Sequence, residues 1–494
     1  MAPQRSGRTR PGGRTSRPLE RSFPLWAGSA WALLVLVTSL CFNHNDLRYI
    51  AWVSHFVPGD WNVYEAVKKV READLIRLTY PPLAYWIIGA WIWIGKTLGG
   101  LFQYPHWDQH MAQNDFEYSL TFSRVEYLYL KSLYVPFLLG TAWLCQRMVT
   151  AGGKVGSPVF WLFLVQPIPF FICFYMGQFD IIPTFFCVAG VYLFSRGPSA
   201  PRVIAGFACM ALGALMKNFP LVLAVMFLGL FLLRDKWRWK ALAGWGVFVS
   251  IVALAFSAVW GPAFRESFLL LRHMEYLIKI GKYPMVTDLK VYLLAFLLIG
   301  LALTWSFKRG KGERSLSLSG EGPGRGMDAP LFAALSVAAL ALIFFDRRWM
   351  PQYVVWIVPW VLLFSLNFRG AWPEGQPLRT LIGRAPVVMA VIYFLSVFST
   401  FPGNVDSNLF IGSEKGLTVG TFLFPYQVLF FLLPSAFFIV LLVLSVWCSG
   451  RIWVGAGWKG LRSPPSPGWG EVWTALGISG VVVFGSMLMV WLRP

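Results

Sequence analysis

Charge is scarce in this chain. Only 13% of its 494 residues are Asp, Glu, Lys or Arg, and 23 acids face 43 bases, which leaves a formal net charge of +20. So little charge, beside 56% hydrophobic residues and a mean hydropathy of +0.58, excludes an ordinary soluble domain and points to a polytopic membrane protein. The basic excess does not indicate a nucleic-acid partner, because the bases alternate with apolar segments and no DNA- or RNA-binding motif accompanies them. Cysteine is also sparse. Cys41, Cys145, Cys173, Cys187, Cys209 and Cys448 lie mostly inside apolar runs without C-x-x-C spacing, so a zinc site or disulfide framework is not expected. The first apolar run lacks a small-residue cleavage site and is expected to be a retained span. The chain lacks an internal repeat, the feature expected of a secondary transporter, so a transporter is the weaker functional reading.

What the chain has is apolar length. Runs near the ~20 residues needed to cross a bilayer predict an all-α, polytopic fold. Thirteen spans are expected near 25–42, 127–145, 158–175, 180–195, 203–217, 219–233, 241–260, 289–306, 329–345, 353–366, 385–401, 427–447 and 471–491. Residues 1–24, rich in Pro, Gly and Arg, read as a disordered cytoplasmic tail. The decisive stretch is Tyr80–Gly99. If it does not cross, the segments 1–24, 146–157, 195–202, 234–240, 307–326, 367–384 and 449–470 share one side and carry 25 bases against five acids. That is the whole charge excess, so these segments are assigned to the cytoplasm by the positive-inside rule. Tyr80–Gly99 is then an interfacial or re-entrant helix on the outer face, with Tyr85, Trp86, Trp91 and Trp93 as belt residues and Pro81-Pro82 at its start. The N-terminus is inside and the first outer loop is 43–125.

On this map the sparse polar groups converge on the outer side. Asp46 and Tyr49 follow span 1, Gln178 and Asp180 sit between spans 3 and 4, and Lys217 lies between spans 5 and 6. Arg272 and His273 lie in the loop 261–288, and Arg347 and Arg348 open a later span. Ionisable groups near lipid depth cost about 2.5–3.5 kcal/mol each at a helix centre and are functional suspects for that reason. Each has a plainer role open to it. Asp46 and Asp180 can cap helices, Lys217 can snorkel to headgroups, Arg347 and Arg348 can bind anionic lipid, and His273 can be a satisfied interface residue.

Short motifs occur in one order: Asp46-Leu-Arg-Tyr49, Gly59-x-x-Asn-Val-Tyr64, Tyr80-Pro-Pro-Leu, Gly177-Gln-Phe-Asp180, Lys217-Asn-Phe-Pro220, and Pro351 through Pro359 with Gln352 and Tyr353. Together they resemble the GT-C-type polytopic glycosyltransferases that use polyprenyl-phosphate sugar donors, most closely the bacterial and archaeal mannosyltransferase-like branch. The resemblance covers about residues 25–370, as one catalytic module; residues 371–494 form further transmembrane helices that it does not reach. It implies an enzyme of the cytoplasmic (inner) membrane, part of cell-envelope synthesis. Such an enzyme moves a mannose-like hexose, with inversion, from a polyprenyl-phosphate donor to a lipid, glycan or protein acceptor on the outer face. A lipid-linked glycan ligase or polymerase is the nearest alternative.

The resemblance maps a catalytic base onto Asp46. Lys217, Arg347, Arg348, Arg272 and His273 become the cations for the donor phosphate. Tyr49, Tyr80, Gln178, Asp180, Gln352 and Tyr353 become candidates to line the substrate site. No cofactor is expected. The second acid that would form an acidic pair beside Asp46 is missing, since His44, Asn45 and Leu47 surround it, and a divalent-metal requirement stays open.

Overall fold

The computed structural model describes residues 18–42, 45–70, 80–103, 122–149, 157–232, 235–267, 332–337, 339–340, 351–368, 377–400, 436–437, 440–441, 443–445, 448 and 469–491. Among the described residues every regular element is helical, in agreement with the all-α expectation. Two helical runs, Arg124–Val149 and Lys236–Ala258, are long and apolar enough to cross a membrane, and a bent pair makes a third, which supports a multi-pass protein. The other expected spans appear as shorter apolar helices or fall outside the described residues.

Local chemistry sets the boundaries. Helix α1 (Pro18–Cys41) starts inside the stretch expected to be a disordered tail, because a proline is tolerated in a first helical turn, where no N–H partner is lost. Two helices occupy the polar stretch that follows: α2 (Asn45–His55) and α3 (Val63–Val70). Helix α4 (Pro82–Gly99) begins after Pro81 and stops at Gly100, which takes φ 62° and donates its N–H to the Gly95 carbonyl. Helix α5 (Arg124–Ser132) opens on a reciprocal cap in which the Glu126 N–H donates to the Ser123 hydroxyl and the Ser123 N–H donates to the Glu126 carboxylate. It runs on through a single turn residue into α6 (Tyr134–Val149).

The span expected at 158–175 is broken. Helix α7 (Pro158–Leu164) and the following stretch Pro167–Met176 meet at a 43° bend, where Pro167 and Pro169 withdraw two backbone donors. The second piece is α8 (Pro167–Phe170), continued by a π-helix over Phe171–Met176. Helices α9 (Ile181–Ser195), α10 (Ala200–Ala214), α11 (Phe219–Leu232) and α12 (Asp235–Ala258) then run back and forth as packed neighbours. Small residues let α9 and α10 approach closely: a Cβ at Gly190 would lie 2.8 Å from the Gly206 carbonyl oxygen. A 3-10 turn, Pro351–Trp356, leads into α13 (Val358–Phe368), which packs on α14 (Pro377–Thr400). The last helix, α15 (Trp469–Trp491), lies against α1 and α7.

Side-chain contacts tie segments together at each end of the bundle. At one end Lys240 donates to the Pro198 carbonyl, joining two segments assigned to the cytoplasm, and Arg202 donates to the Arg196 carbonyl within one of them. At the other, Asn62 Nδ2 donates to the Val259 carbonyl (3.2 Å), the Ala263 N–H donates to Glu65 (2.8 Å), and Lys68 pairs with Glu266 (2.6 Å). The first polar loop and the loop after α12 therefore share a face.

One expectation about α4 is corrected. Tyr85 is fully buried and accepts from the Tyr80 N–H at 3.3 Å, so it is a core residue and not part of an aromatic belt. Trp86 and Trp91 spend their indole N–H groups on the Trp61 and Tyr129 carbonyls, while Trp93 is half exposed. An indole or phenol buried in apolar surroundings needs a partner for its polar atom, and here the protein supplies it.

Candidate active site

The site grows from the turn after the π-helix. Gly177 ends that helix at φ +76°, a left-handed conformation that a side chain would resist. Its carbonyl accepts from the Tyr134 hydroxyl at 2.8 Å, and the Gln178 N–H returns to the Ile172 carbonyl at 2.9 Å. The chain thus reverses sharply and sets Asp180 at the start of α9, with no exposed surface.

Asp180 is where distant motifs meet. Trp356, in the 3-10 turn, donates its indole N–H to Asp180 Oδ1 at 2.8 Å, and the Lys217 ammonium lies 3.5 Å from the same oxygen. Lys217 is buried between ring faces, its Nζ 4.3 Å from the Tyr80 centroid and 5.0 Å from that of Phe179. Phe219 stacks on Trp356 with centroids 4.2 Å apart. Tyr80 is fixed in turn: its ring meets Phe179 edge-on, and its carbonyl accepts from the Tyr64 hydroxyl at 2.7 Å. Burial raises the Tyr64 phenol well above its ordinary range, which keeps it a donor to that carbonyl.

The Asp46 backbone lies in the first turn of α2, and its side chain is outside the described residues. Its neighbour Leu47 reaches the Gly177 turn, where a Cβ at Gly177 would lie 2.6 Å from Leu47 Cδ2. The structure thus brings Leu47, Tyr80, Gln178, Asp180 and Lys217 to one locality. Tyr49 is half-buried on α2 beside Trp52, with ring centroids 5.9 Å apart. Gln352 and Tyr353 lie in the Pro351–Trp356 turn with their side chains outside the described residues, and Arg272, His273, Arg347 and Arg348 lie outside the described residues altogether. No group of three or more His, Cys, Asp or Glu able to hold a metal occurs among the described residues.

Two residues at the site escaped the sequence reading. Trp356 sits in the Pro351–Pro359 motif, but as an apolar residue it gave no sign that its N–H would be spent on an acid. Lys131 is a charge inside an apolar run, a signal that could have found it. It is fully buried and donates to the Phe42 and Phe174 carbonyls.

Because the Gly177 turn is tight, Gly177→Ala is expected to lower stability by about 1–2 kcal/mol from the left-handed backbone alone, and by more from the clash with Leu47. Gly229→Ala, on α11 with open space beside it, should be neutral or stabilising by about 0.5–1 kcal/mol. Thermal unfolding in detergent compares the two.

No family model matches this chain, and no curated protein matches it. Among solved structures it is similar to the crystal structure of ArnT from Cupriavidus metallidurans in the apo state. The similarity covers 88% of this chain and 78% of that one, at 13% identity and a TM-score of 0.39.

Proposed function

We propose that this protein is a GT-C-type membrane glycosyltransferase that moves a mannose-like hexose from a polyprenyl-phosphate donor to an acceptor on the outer face. The observation that carries the reading is convergence. Motifs that begin at Tyr80, Gly177, Lys217 and Pro351, far apart in sequence, join through Asp180, and the residue after Asp46 packs against the same turn. Packing alone has no need of a buried acid and ammonium at a helix end, since such groups are costly to desolvate.

The chemistry assigned to these residues is direct displacement. The Asp46 carboxylate takes the proton of the acceptor hydroxyl as its oxygen bonds to the anomeric carbon. The bond from that carbon to the donor phosphate breaks, the electron pair leaves with the lipid phosphate, and the anomeric centre inverts. Lys217, held in place by Asp180 and the Tyr80 ring, is one cation for the developing phosphate charge; Arg347, Arg348, Arg272 and His273 are assigned the rest. The transfer of a whole glycan chain in place of one sugar uses the same groups, and the acceptor decides between the two.

The test is a survey of donors. Membranes containing the protein, given radiolabelled polyprenyl-phosphate sugars one at a time, should move the label of one hexose into an acceptor. In the same assay Arg347→Ala and Arg348→Ala should raise the donor KM and lower kcat/KM. If no lipid-linked label moves, the reading fails; unchanged donor kinetics in both variants would reassign those arginines to anionic lipid.

A further inference from the structure

Lys131 is a buried lysine that the proposed chemistry does not use. It is fully buried on α5, and no described carboxylate lies within ion-pair distance of it. Burying a lysine amine away from any described carboxylate is costly, so packing alone does not select it. What it does is donate to two main-chain carbonyls from different parts of the chain: Phe42, just after α1, and Phe174, inside the π-helix, at 2.8 Å for the latter.

One helical turn earlier on the same face, the Tyr127 hydroxyl accepts a 2.6 Å hydrogen bond from Arg48 Nε, and Arg48 is buried. The two contacts grip the chain on either side of Asp46, at Phe42 before it and Arg48 after it. The grip extends to the opposite wall. The Phe42 ring stacks on Tyr175 with centroids 4.0 Å apart, and a Cβ at Gly177 would meet both Leu47 Cδ2 (2.6 Å) and Lys131 Cε (3.2 Å).

We propose that Lys131 and Tyr127 are positioning residues for Asp46. Helix α5 is a two-point clamp that sets Phe42 and the start of α2 against the Gly177–Asp180 turn. The inference rests on the reading of Asp46 as the acceptor base. A purely structural helix-end tie would affect folding alone; a clamp of this kind controls turnover, because a misplacement of about 1 Å at a reacting group can cost ~10²-fold in rate.

The test uses full-length Lys131→Met and Tyr127→Phe in nanodiscs, with and without Asp46→Asn. Each clamp variant should lose ~10-fold or more in kcat, with donor KM within about twofold of wild type, and should cost nothing further in the Asp46→Asn background. Hydrogen exchange over 42–48 should speed up in both variants while α9 and α10 keep their protection. If Lys131→Met does not fold, Tyr127→Phe decides by the same readings. Unchanged kcat and exchange in Tyr127→Phe, or losses that multiply with Asp46→Asn, would overturn the clamp. A wild-type protein without transfer activity, whose 42–48 exchange still responds to Tyr127→Phe, would retain the clamp and sink only the reaction assigned to Asp46.

Discussion

Asp46→Asn is expected to insert normally, keep its donor affinity and lose sugar transfer by ~10²-fold or more, the scale for removing a general base. Asparagine keeps the size of the side chain and removes its basicity. The backbone that carries it is held by features the substitution does not touch: Leu47 against the Gly177 turn and Arg48 on Tyr127. Donor KM should therefore stay near wild type while kcat falls. Asp60 supplies the control. Its carboxylate accepts from the Asn62 N–H at 2.9 Å and lies 3.5 Å from Lys69 in an exposed pair, so Asp60→Asn should change activation or stability by no more than about 0.5 kcal/mol. Near-normal turnover in Asp46→Asn would remove the base from Asp46.

The second large effect concerns the buried pair. Lys217 and Asp180 have side-chain exposures of 7% and 0%. Removing one partner strands the other charge, at a cost of about 3–5 kcal/mol, whereas removing both costs far less. Lys217→Met alone should therefore reduce the folded yield sharply. Adding Asp180→Asn should restore much of it, since the asparagine oxygen still accepts from Trp356. A double-mutant cycle read by thermal unfolding in detergent gives the coupling. The restored double variant should fold and still fail to transfer sugar, because the cation assigned to the phosphate is gone. Costs that simply add would mean the two charges do not act as a pair.

How much of this was legible depended on whether the cause was local. Pro81-Pro82 at the start of α4, Gly177 at a turn, and an acid and a lysine at span ends are all set by near neighbours in sequence, and the structure keeps them. The broken span at Pro167 was also locally encoded. Its two prolines stand in an apolar run whose length alone suggested continuity. Long-range partners were not legible. That Trp356 would serve Asp180, that Tyr85 would be buried under the first loop, and that Lys131 would hold Phe42 and Phe174 all follow from which helices pack together. Hydropathy does not encode that choice. The early start of α1 belongs with these, since residues 18–24 read as tail by composition and become helix in continuity with a span.

The central claim is an outward-facing site that draws its sugar from a lipid phosphate, and sealed, right-side-out membrane vesicles test it most directly. Given an externally added acceptor and a labelled polyprenyl-phosphate hexose, with no nucleotide sugar present, wild-type vesicles should glycosylate the acceptor outside, and vesicles bearing Asp46→Asn should not. Transfer that requires a nucleotide sugar at the cytoplasmic face, or label that crosses into the lumen without joining an acceptor, would contradict the account.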